Sequence, residues 1–159
     1  MKNRTCCFTG HRKIPSGEYQ RIAERLREEI IRLINLGVIY FGAGGALGFD
    51  TIAAQTILEL KKEYPLIRLI LVLPCPEQTN GWSEKNILIY EDIKAKCDKY
   101  AYASKEYTHE CMYRRNRHLV DNSDYCIYYL TDSKGGTAYT VEYAGKKGLQ
   151  IFNIAKDGV

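Results

Sequence analysis

The stretch Phe41-Gly-Ala-Gly-Gly-Ala-Leu-Gly-Phe-Asp50 decides the fold of this chain. A short apolar run at residues 38–41 leads into it, and a helix-patterned run begins at Thr51. Its glycines (Gly42, Gly44, Gly45 and Gly48) admit positive φ and place no Cβ between the backbone amides and a ligand. The helix N-terminus adds unpaired N–H groups and a partial positive charge. A strand that passes through such a loop into a helix is typical of a site for a phosphorylated ligand.

Strand and helix patterns alternate along the whole chain. We predict strands at residues 5–9, 38–41, 68–73, 100–103, 125–130 and 150–154. We predict helices at residues 19–36, 50–64, 110–122 and 137–147, and a further helix from a cap at Ser83 to about residue 96. The third strand is entirely apolar after Arg68, which indicates burial on both faces and a parallel sheet. The pattern predicts one Rossmann-like α/β domain over residues 1–159, with a doubly wound, mainly parallel sheet and helices on both faces.

The unusual segments fall where ligands bind in such sheets, outside the carboxyl ends of the strands. They are the loop at residues 9–12, the glycine loop at 42–50, the loop at 74–82 and the second glycine loop at 135–137. Their common position predicts a single site.

Composition limits the classes of function. The 159 residues carry a net charge of +4 and 26% charged side chains, which fits a globular protein with an anionic small ligand better than a nucleic-acid binder. The six cysteines have neither C-x-x-C nor zinc-ligand spacing, so we expect reduced thiols and neither a metal nor a required cofactor. No apolar stretch approaches 18 residues and none follows the N-terminus, which predicts a cytoplasmic protein without a membrane segment.

The loop at residues 9–12 offers a hydroxyl, an imidazole and a guanidinium at a strand end. Arg12 can hold a phosphate bidentately, and His11 can act as an acid or base or as a simple hydrogen-bonding group. We expect Asp50 to be the N-cap of the second helix, with a ribose hydroxyl as the alternative partner of its carboxylate. Trp82 can stack on a base or cover the site.

Two further residues are candidates for chemistry. The apolar stripe of the helix at residues 110–122 places Arg115 and Asn116 at inner positions, where a buried arginine needs a pair or an anion. Glu142 lies one turn into the helix after Thr137, at the border of its buried face, where it can pair with Arg115 or with a substrate hydroxyl. The candidate catalytic residues are therefore Arg115 and Glu142, and the candidate ligand-binding residues are Thr9, Gly10, His11, Arg12, Gly42, Gly44, Gly45, Gly48, Asp50, Trp82, Asn116, Gly135, Gly136 and Thr137.

Taken in order, the motifs resemble those of a known family. They are Cys7-Phe-Thr-Gly-His-Arg12, Gly44-Gly-Ala-Leu-Gly-Phe-Asp50, Trp82, Cys111-Met-Tyr-Arg-Arg-Asn116, Val120-Asp-Asn-Ser-Asp124, Gly135-Gly-Thr137 and Val141-Glu-Tyr-Ala144. Together they resemble the YpsA-type proteins of the SLOG superfamily. The resemblance implies a Rossmann-like fold and a nucleotide, nucleotide-sugar or NAD/ADP-ribose-related ligand, bound by a sensor or regulatory module.

Neighbouring SLOG branches supply two alternatives. The LOG-type phosphoribohydrolases cleave the N-glycosidic bond of nucleoside 5′-monophosphates, and by resemblance Arg115 and Glu142 take the places of their arginine and second glutamate. Ala138 and Val141 depart from that pattern, Val141 standing where the first glutamate would be. DprA binds single-stranded DNA, and here Arg114, Arg117, Lys146 and Lys147 with intervening tyrosines would form the nucleic-acid surface.

The thirteen tyrosines bear on assembly. Tyr125, Tyr128 and Tyr129 in one strand, with Tyr139 and Tyr143 in the next helix, offer more aromatic surface than a small domain readily buries. Aromatic residues are enriched at subunit interfaces, so we expect a homodimer or a dimer of dimers.

Overall fold

The computed structural model describes residues 4–155. The first three residues, which enter the argument against a leader segment, lie outside the described residues. The strands are β1 Thr5–Gly10, β2 Tyr40–Ala43, β3 Arg68–Leu73, β4 Lys99–Tyr102, β5 Tyr125–Tyr129 and β6 Gln150–Asn153. The helices are α1 Tyr19–Asn35, α2 Phe49–Leu60, α3 Glu84–Lys96, α4 Cys111–Asp121 and α5 Gly136–Lys146.

The strands form one sheet in the order β4-β3-β2-β1-β5-β6, and every neighbouring pair is parallel. The chain moves outward from β1 to β4, then returns through α4 to start β5 on the other side of β1. The strand order therefore reverses between β1 and β5, and the crevice at their carboxyl ends is the expected place for a ligand. This topology confirms the predicted Rossmann-like α/β fold.

Helices cover both faces of the sheet. Alternate residues of each strand face opposite sides, so one strand contributes side chains to the core on each face. Cys6 and Phe8 of β1 belong to a large apolar core that includes the stripe of α1, with residues of α2 and α3. Cys7 of the same strand faces a smaller core that contains Val120 of α4 and Ala144 of α5. Parallel strands buried on both sides explain the nearly continuous apolar run of β3.

The bounds of two elements, β2 and α2, differ from the predicted ones by more than one residue, and the shift of β2 matters for the site. Strand β2 begins two residues later than predicted, because Val38 closes α1: its N–H donates to the Leu33 carbonyl at 3.0 Å, after Gly37 turns the chain at φ 101°. Gly42 consequently lies inside β2, paired with Cys7 of β1. Helix α2 ends at Leu60, and residues 61–63 form a turn.

Among residues 4–155, no helix combines the length and the apolar character that crossing a membrane requires.

Candidate functional site

A polar cleft of about 260 Å³ lies at the carboxyl end of β1, where the strand order reverses. Four segments meet there: the loop after β1, the glycine loop before α2, the first turns of α4 and the start of α5. The cleft is lined by Thr9, Gly10, His11, Arg12, Ala46, Asp50, Met112, Arg115, Asn116, Gly136 and Thr137. The structure thus brings together nine of the sixteen predicted site residues.

Arg115 forms the buried cationic wall of the cleft. Its residue surface is only 5% exposed, as the apolar stripe of α4 predicted. The guanidinium donates through Nη1 to the Gly44 carbonyl and through Nε to Asn116 Oδ1 at 2.6 Å. Burial lowers the pKa of Arg115, and the carboxylate of Asp50 opposes that effect. Arginine keeps its charge in proteins, so the cleft holds a fixed positive group.

Asp50 is the carboxylate that faces Arg115, and it is not the N-cap of α2. Gly48 occupies the cap position with φ 78°, and Asp50 follows in the first turn. Asp50 Oδ2 accepts a hydrogen bond from the Ala46 N–H at 3.2 Å, whereas Oδ1 has no partner and the residue is 6% exposed. Burial raises the pKa of Asp50, against the lowering effect of Arg115. Asp50 Oδ1 is thus a buried acceptor without a protein partner in the wall of the cleft.

The glycines of the first loop have a different role from the predicted one. A Cβ on Gly44 would lie 2.3 Å from Arg115 Nη1, and one on Gly48 would lie 2.2 Å from the Arg12 carbonyl oxygen. Side chains of Leu119 and Leu73 fill the corresponding space at Gly42 and Gly45. The absent side chains of these glycines make room for protein groups, and none of the four glycines lines the cleft.

The second glycine loop has the open geometry that was expected of the first. Gly135 is the N-cap of α5 with φ 97°, and a Cβ on Gly135 or Gly136 would meet no atom within 4 Å. No side chain caps this helix and no acidic residue lies in its first turn. The first turn of α2, by contrast, contains Asp50. The positive end of the α5 dipole is therefore the better position for an anion.

The loop after β1 contributes two basic side chains, His11 and Arg12. His11 Nε2 accepts a hydrogen bond from the Thr131 N–H at 2.9 Å, and its ring lies edge-on to Tyr129. This contact ties the loop to the segment after β5, which favours the simple hydrogen-bonding role of His11. Arg12 is exposed, and within residues 4–155 no carboxylate lies within 4.0 Å of its guanidinium. Its Nη2 donates to Met112 Sδ at 3.9 Å, and the guanidinium can still bind an anion.

Glu142 and Trp82 do not reach the cleft. Glu142 forms a surface ion pair with Lys146 at 3.0 Å, and its side chain is 69% exposed. The inner face of α5 passes through Thr140 and Ala144, and Glu142, two residues from each, faces the opposite way. Trp82 instead packs edge-on against Tyr90 in a separate cavity between α2 and α3.

Two neighbouring residues were missed by sequence reasoning. Gln78 is 6% exposed, and its Nε2 donates to the Gly44 carbonyl at 3.4 Å. Tyr90 is 7% exposed, and its hydroxyl has no partner. A polar residue in a loop and a tyrosine in an amphipathic helix carry no sequence signal for burial, so neither was a candidate.

A doubly wound parallel sheet with a polar cleft at its switch point defines a Rossmann-like α/β protein. The YpsA family model, described as the YspA SLOG family, matches residues 7–155, and the chain belongs to this family. Among curated relatives, the UPF0398 protein BH1768 of Halalkalibacterium halodurans is 32% identical over 132 residues, which are 81% of this chain and 70% of the relative.

Solved structures of low sequence identity share the fold. DNA processing protein A (DprA) from Helicobacter pylori, described for its single-stranded DNA binding mode, matches with a TM-score of 0.68 and 23% identity. The match covers 95% of this chain but 65% of the DprA chain. The structural-genomics protein TM1055 matches with a TM-score of 0.59 and 18% identity, over 93% of this chain and 72% of that one.

Proposed function

We propose that the cleft binds a phosphorylated nucleotide-type ligand: a nucleotide, a nucleotide sugar or an NAD/ADP-ribose derivative. The observation that carries the proposal is the convergence of Arg12, Arg115 and the uncapped start of α5 on one cleft that also contains an unpaired carboxylate oxygen. Phosphates are bound by guanidinium groups and by helix N-termini, and ribose hydroxyls donate to carboxylates.

The parts of the ligand have different partners in this proposal. The phosphate lies at Gly136 and Thr137, where the backbone amides and the Thr137 hydroxyl donate to it and Arg12 supplies an exposed cation. Asp50 Oδ1 accepts a ribose hydroxyl. Arg115 is already engaged with Gly44 and Asn116, so it balances the charge of Asp50 and fixes the position of the loop.

Binding without chemistry, as in a sensor or regulatory module, agrees best with the carboxylates present. The LOG-like alternative relies on Glu142, which points away from the cleft, and among the described residues Asp50 is the carboxylate that lines it. Incubation with AMP should therefore release no ribose 5-phosphate. Release that Asp50→Asn abolishes would make the protein a hydrolase that uses Asp50 instead.

Single-stranded nucleic acid is a second candidate ligand, favoured by a surface on α4 and α5. Tyr139 lies edge-on to Tyr113 at 5.0 Å and stacks on Tyr143 at 6.4 Å between ring centroids. Arg117 donates to the Tyr139 hydroxyl, and Lys147 lies over the Tyr143 ring. Aromatic rings with interspersed cations suit stacked bases and phosphates. The fold neighbour DprA, described for its single-stranded DNA binding mode, supports this candidate against the expectation from the sequence.

Two experiments test these candidates. Calorimetric titration with AMP, ADP-ribose, NAD and nucleotide sugars should give at least one dissociation constant below millimolar, and failure of the whole panel would contradict the cleft proposal. A mobility shift with a single-stranded oligonucleotide, if it occurs, should weaken steeply as salt rises. The absence of any shift at low salt would remove the nucleic-acid candidate.

A further inference from the structure

A second cavity, called here the Trp82 cavity, lies between α2 and α3 beside the glycine loop. Its volume is about 250 Å³, close to that of the cleft. Apolar side chains from three elements form most of its walls, while Lys85 and Asn86 lie at its surface. Asp50 is the residue that lines both the cavity and the cleft. The cavity and the cleft are therefore separate spaces with one common wall residue.

Polar atoms without partners lie in and beside this cavity. Within residues 4–155, the buried side-chain oxygens and nitrogens that lack a hydrogen bond are Asp50 Oδ1, Gln78 Oε1 and the Tyr90 hydroxyl. Asp50 and Tyr90 line the cavity, and a Cβ on Gly45, another lining residue, would lie 3.3 Å from Gln78 Oε1. Buried polar groups normally have partners, so three unpaired atoms around one loop indicate a missing one.

The chemistry of these groups defines the missing partner. A carboxylate oxygen and an amide oxygen accept hydrogen bonds, and burial raises the pKa of Tyr90, which keeps its hydroxyl neutral. The partner must therefore donate to the Asp50 and Gln78 oxygens, while the neutral Tyr90 hydroxyl can both donate and accept. The indole of Trp82 lies edge-on to Tyr90, with 5.5 Å between ring centroids and an interplanar angle of 87°. An apolar lining that includes aromatic side chains favours a planar ring.

We propose that the Trp82 cavity is a second binding site, which takes a planar heteroaromatic ring that carries N–H groups, as a nucleobase does. The Tyr90 hydroxyl accepts a hydrogen bond from an N–H of the ring, and Trp82 packs against the face or edge of the ring. The site does not need the phosphate cleft, so a nucleoside without phosphate is sufficient to occupy it.

Adenosine is the appropriate probe because it contains a base with an amino group and no phosphate. Trp82 is the single tryptophan of the chain, so its fluorescence reports on the cavity directly. Titration should give a saturable change, which Arg12→Ala leaves within about twofold and Tyr90→Phe weakens about tenfold, the equivalent of one lost hydrogen bond. Calorimetry with the same variants excludes collisional quenching.

Stability separates a binding role of Tyr90 from a structural one. Tyr90→Phe removes an unpaired buried hydroxyl, so its thermal midpoint without ligand should be equal to or above that of the wild type. A lower midpoint with unchanged adenosine affinity would overturn the proposal, as would the absence of saturable binding up to millimolar adenosine. Loss of adenosine binding in Arg12→Ala would also overturn it, because the ligand would then occupy the cleft.

Ribose 5-phosphate tests the cleft independently. Its binding should be weakened by Arg12→Ala and unaffected by Tyr90→Phe. If adenosine binds and ribose 5-phosphate does not, the cavity is supported and the cleft proposal fails; the reverse result overturns the cavity alone.

Discussion

Gly48 shows how one residue sets the geometry of the site. Its φ of 78° lies in the left-handed region, and the space where a Cβ would lie is occupied by the Arg12 carbonyl. The Phe49 N–H donates to the His11 carbonyl at 3.1 Å in the same contact. Gly48 therefore allows the loop after β1 to cross the start of α2, which places Arg12 beside the cleft.

Gly48→Ala should consequently destabilise the protein by about 2–4 kcal/mol, from backbone strain together with a clash against main-chain atoms that cannot rotate away. Gly145→Ala is the matched control, since Gly145 lies inside α5 with no atom within 4 Å of the added Cβ. That change should stabilise by about 0.5–1 kcal/mol. Urea unfolding measures both, and equal midpoints for the two variants would refute this account of Gly48.

The carboxyl of Asp50 gives a pH dependence with a defined sign. Its pKa is raised in the folded state, chiefly by burial, so the folded protein binds its proton more tightly than the unfolded chain does. The stability that the group contributes is then present below the unfolded pKa of about 3.9 and is lost as pH rises through the folded pKa. The free energy of unfolding of the wild type should therefore fall relative to Asp50→Asn as pH rises above the unfolded pKa. If the free energy of unfolding of the wild type instead rises relative to that of Asp50→Asn as pH rises, the pKa of Asp50 is lowered on folding.

At the scale of elements, helix periodicity decides which residues of α4 and α5 reach the cleft. In α4 the spacing of apolar residues placed Arg115 inward, and the structure confirms it. In α5 the same reasoning put Glu142 at the border of the buried face, because small residues such as Ala138 and Gly145 do not mark a face clearly. The buried positions Thr140 and Ala144 show that Glu142 is on the outside.

Glu142→Gln should therefore leave ligand affinity unchanged and alter stability by less than about 0.5 kcal/mol, the usual value of an exposed helical ion pair. Titration of the variant with the best ligand of the panel checks this expectation. A tenfold loss of affinity would return Glu142 to the site and would require α5 to rotate when the ligand binds.

Local pattern was sufficient to predict the strands, the helices and the sheet class, because apolar periodicity and glycine or proline boundaries are recorded in neighbouring residues. The close contacts of the site were not predictable in the same way. The occupant of the space beside Gly44 is Arg115, which is 71 positions away in the chain, and no local pattern relates the two residues. For the same reason a glycine that accommodates a phosphate and a glycine that accommodates a side chain look identical in sequence.

At the scale of the whole molecule, fewer tyrosines are available for a subunit interface than the sequence suggested. Tyr125 and Tyr129 are buried within the monomer, at 6% and 3% exposure. Tyr113 and Tyr139 remain exposed on α4 and α5. We still predict a homodimer or a dimer of dimers, with these tyrosines at the interface. Light scattering decides it, because a mass near 18.2 kDa throughout a dilution series would exclude the dimer.

The central claim is that Arg12 and the start of α5 bind the phosphate of a nucleotide-type ligand. Calorimetric titration of ADP-ribose, or of the best ligand of the panel, into the wild type, Arg12→Ala and Glu142→Gln tests it most directly. We predict that Arg12→Ala weakens binding about 10- to 100-fold, the equivalent of about 1.5–3 kcal/mol for a charge-assisted hydrogen bond, and that Glu142→Gln matches the wild type. Equal affinity of the wild type and Arg12→Ala would contradict the account.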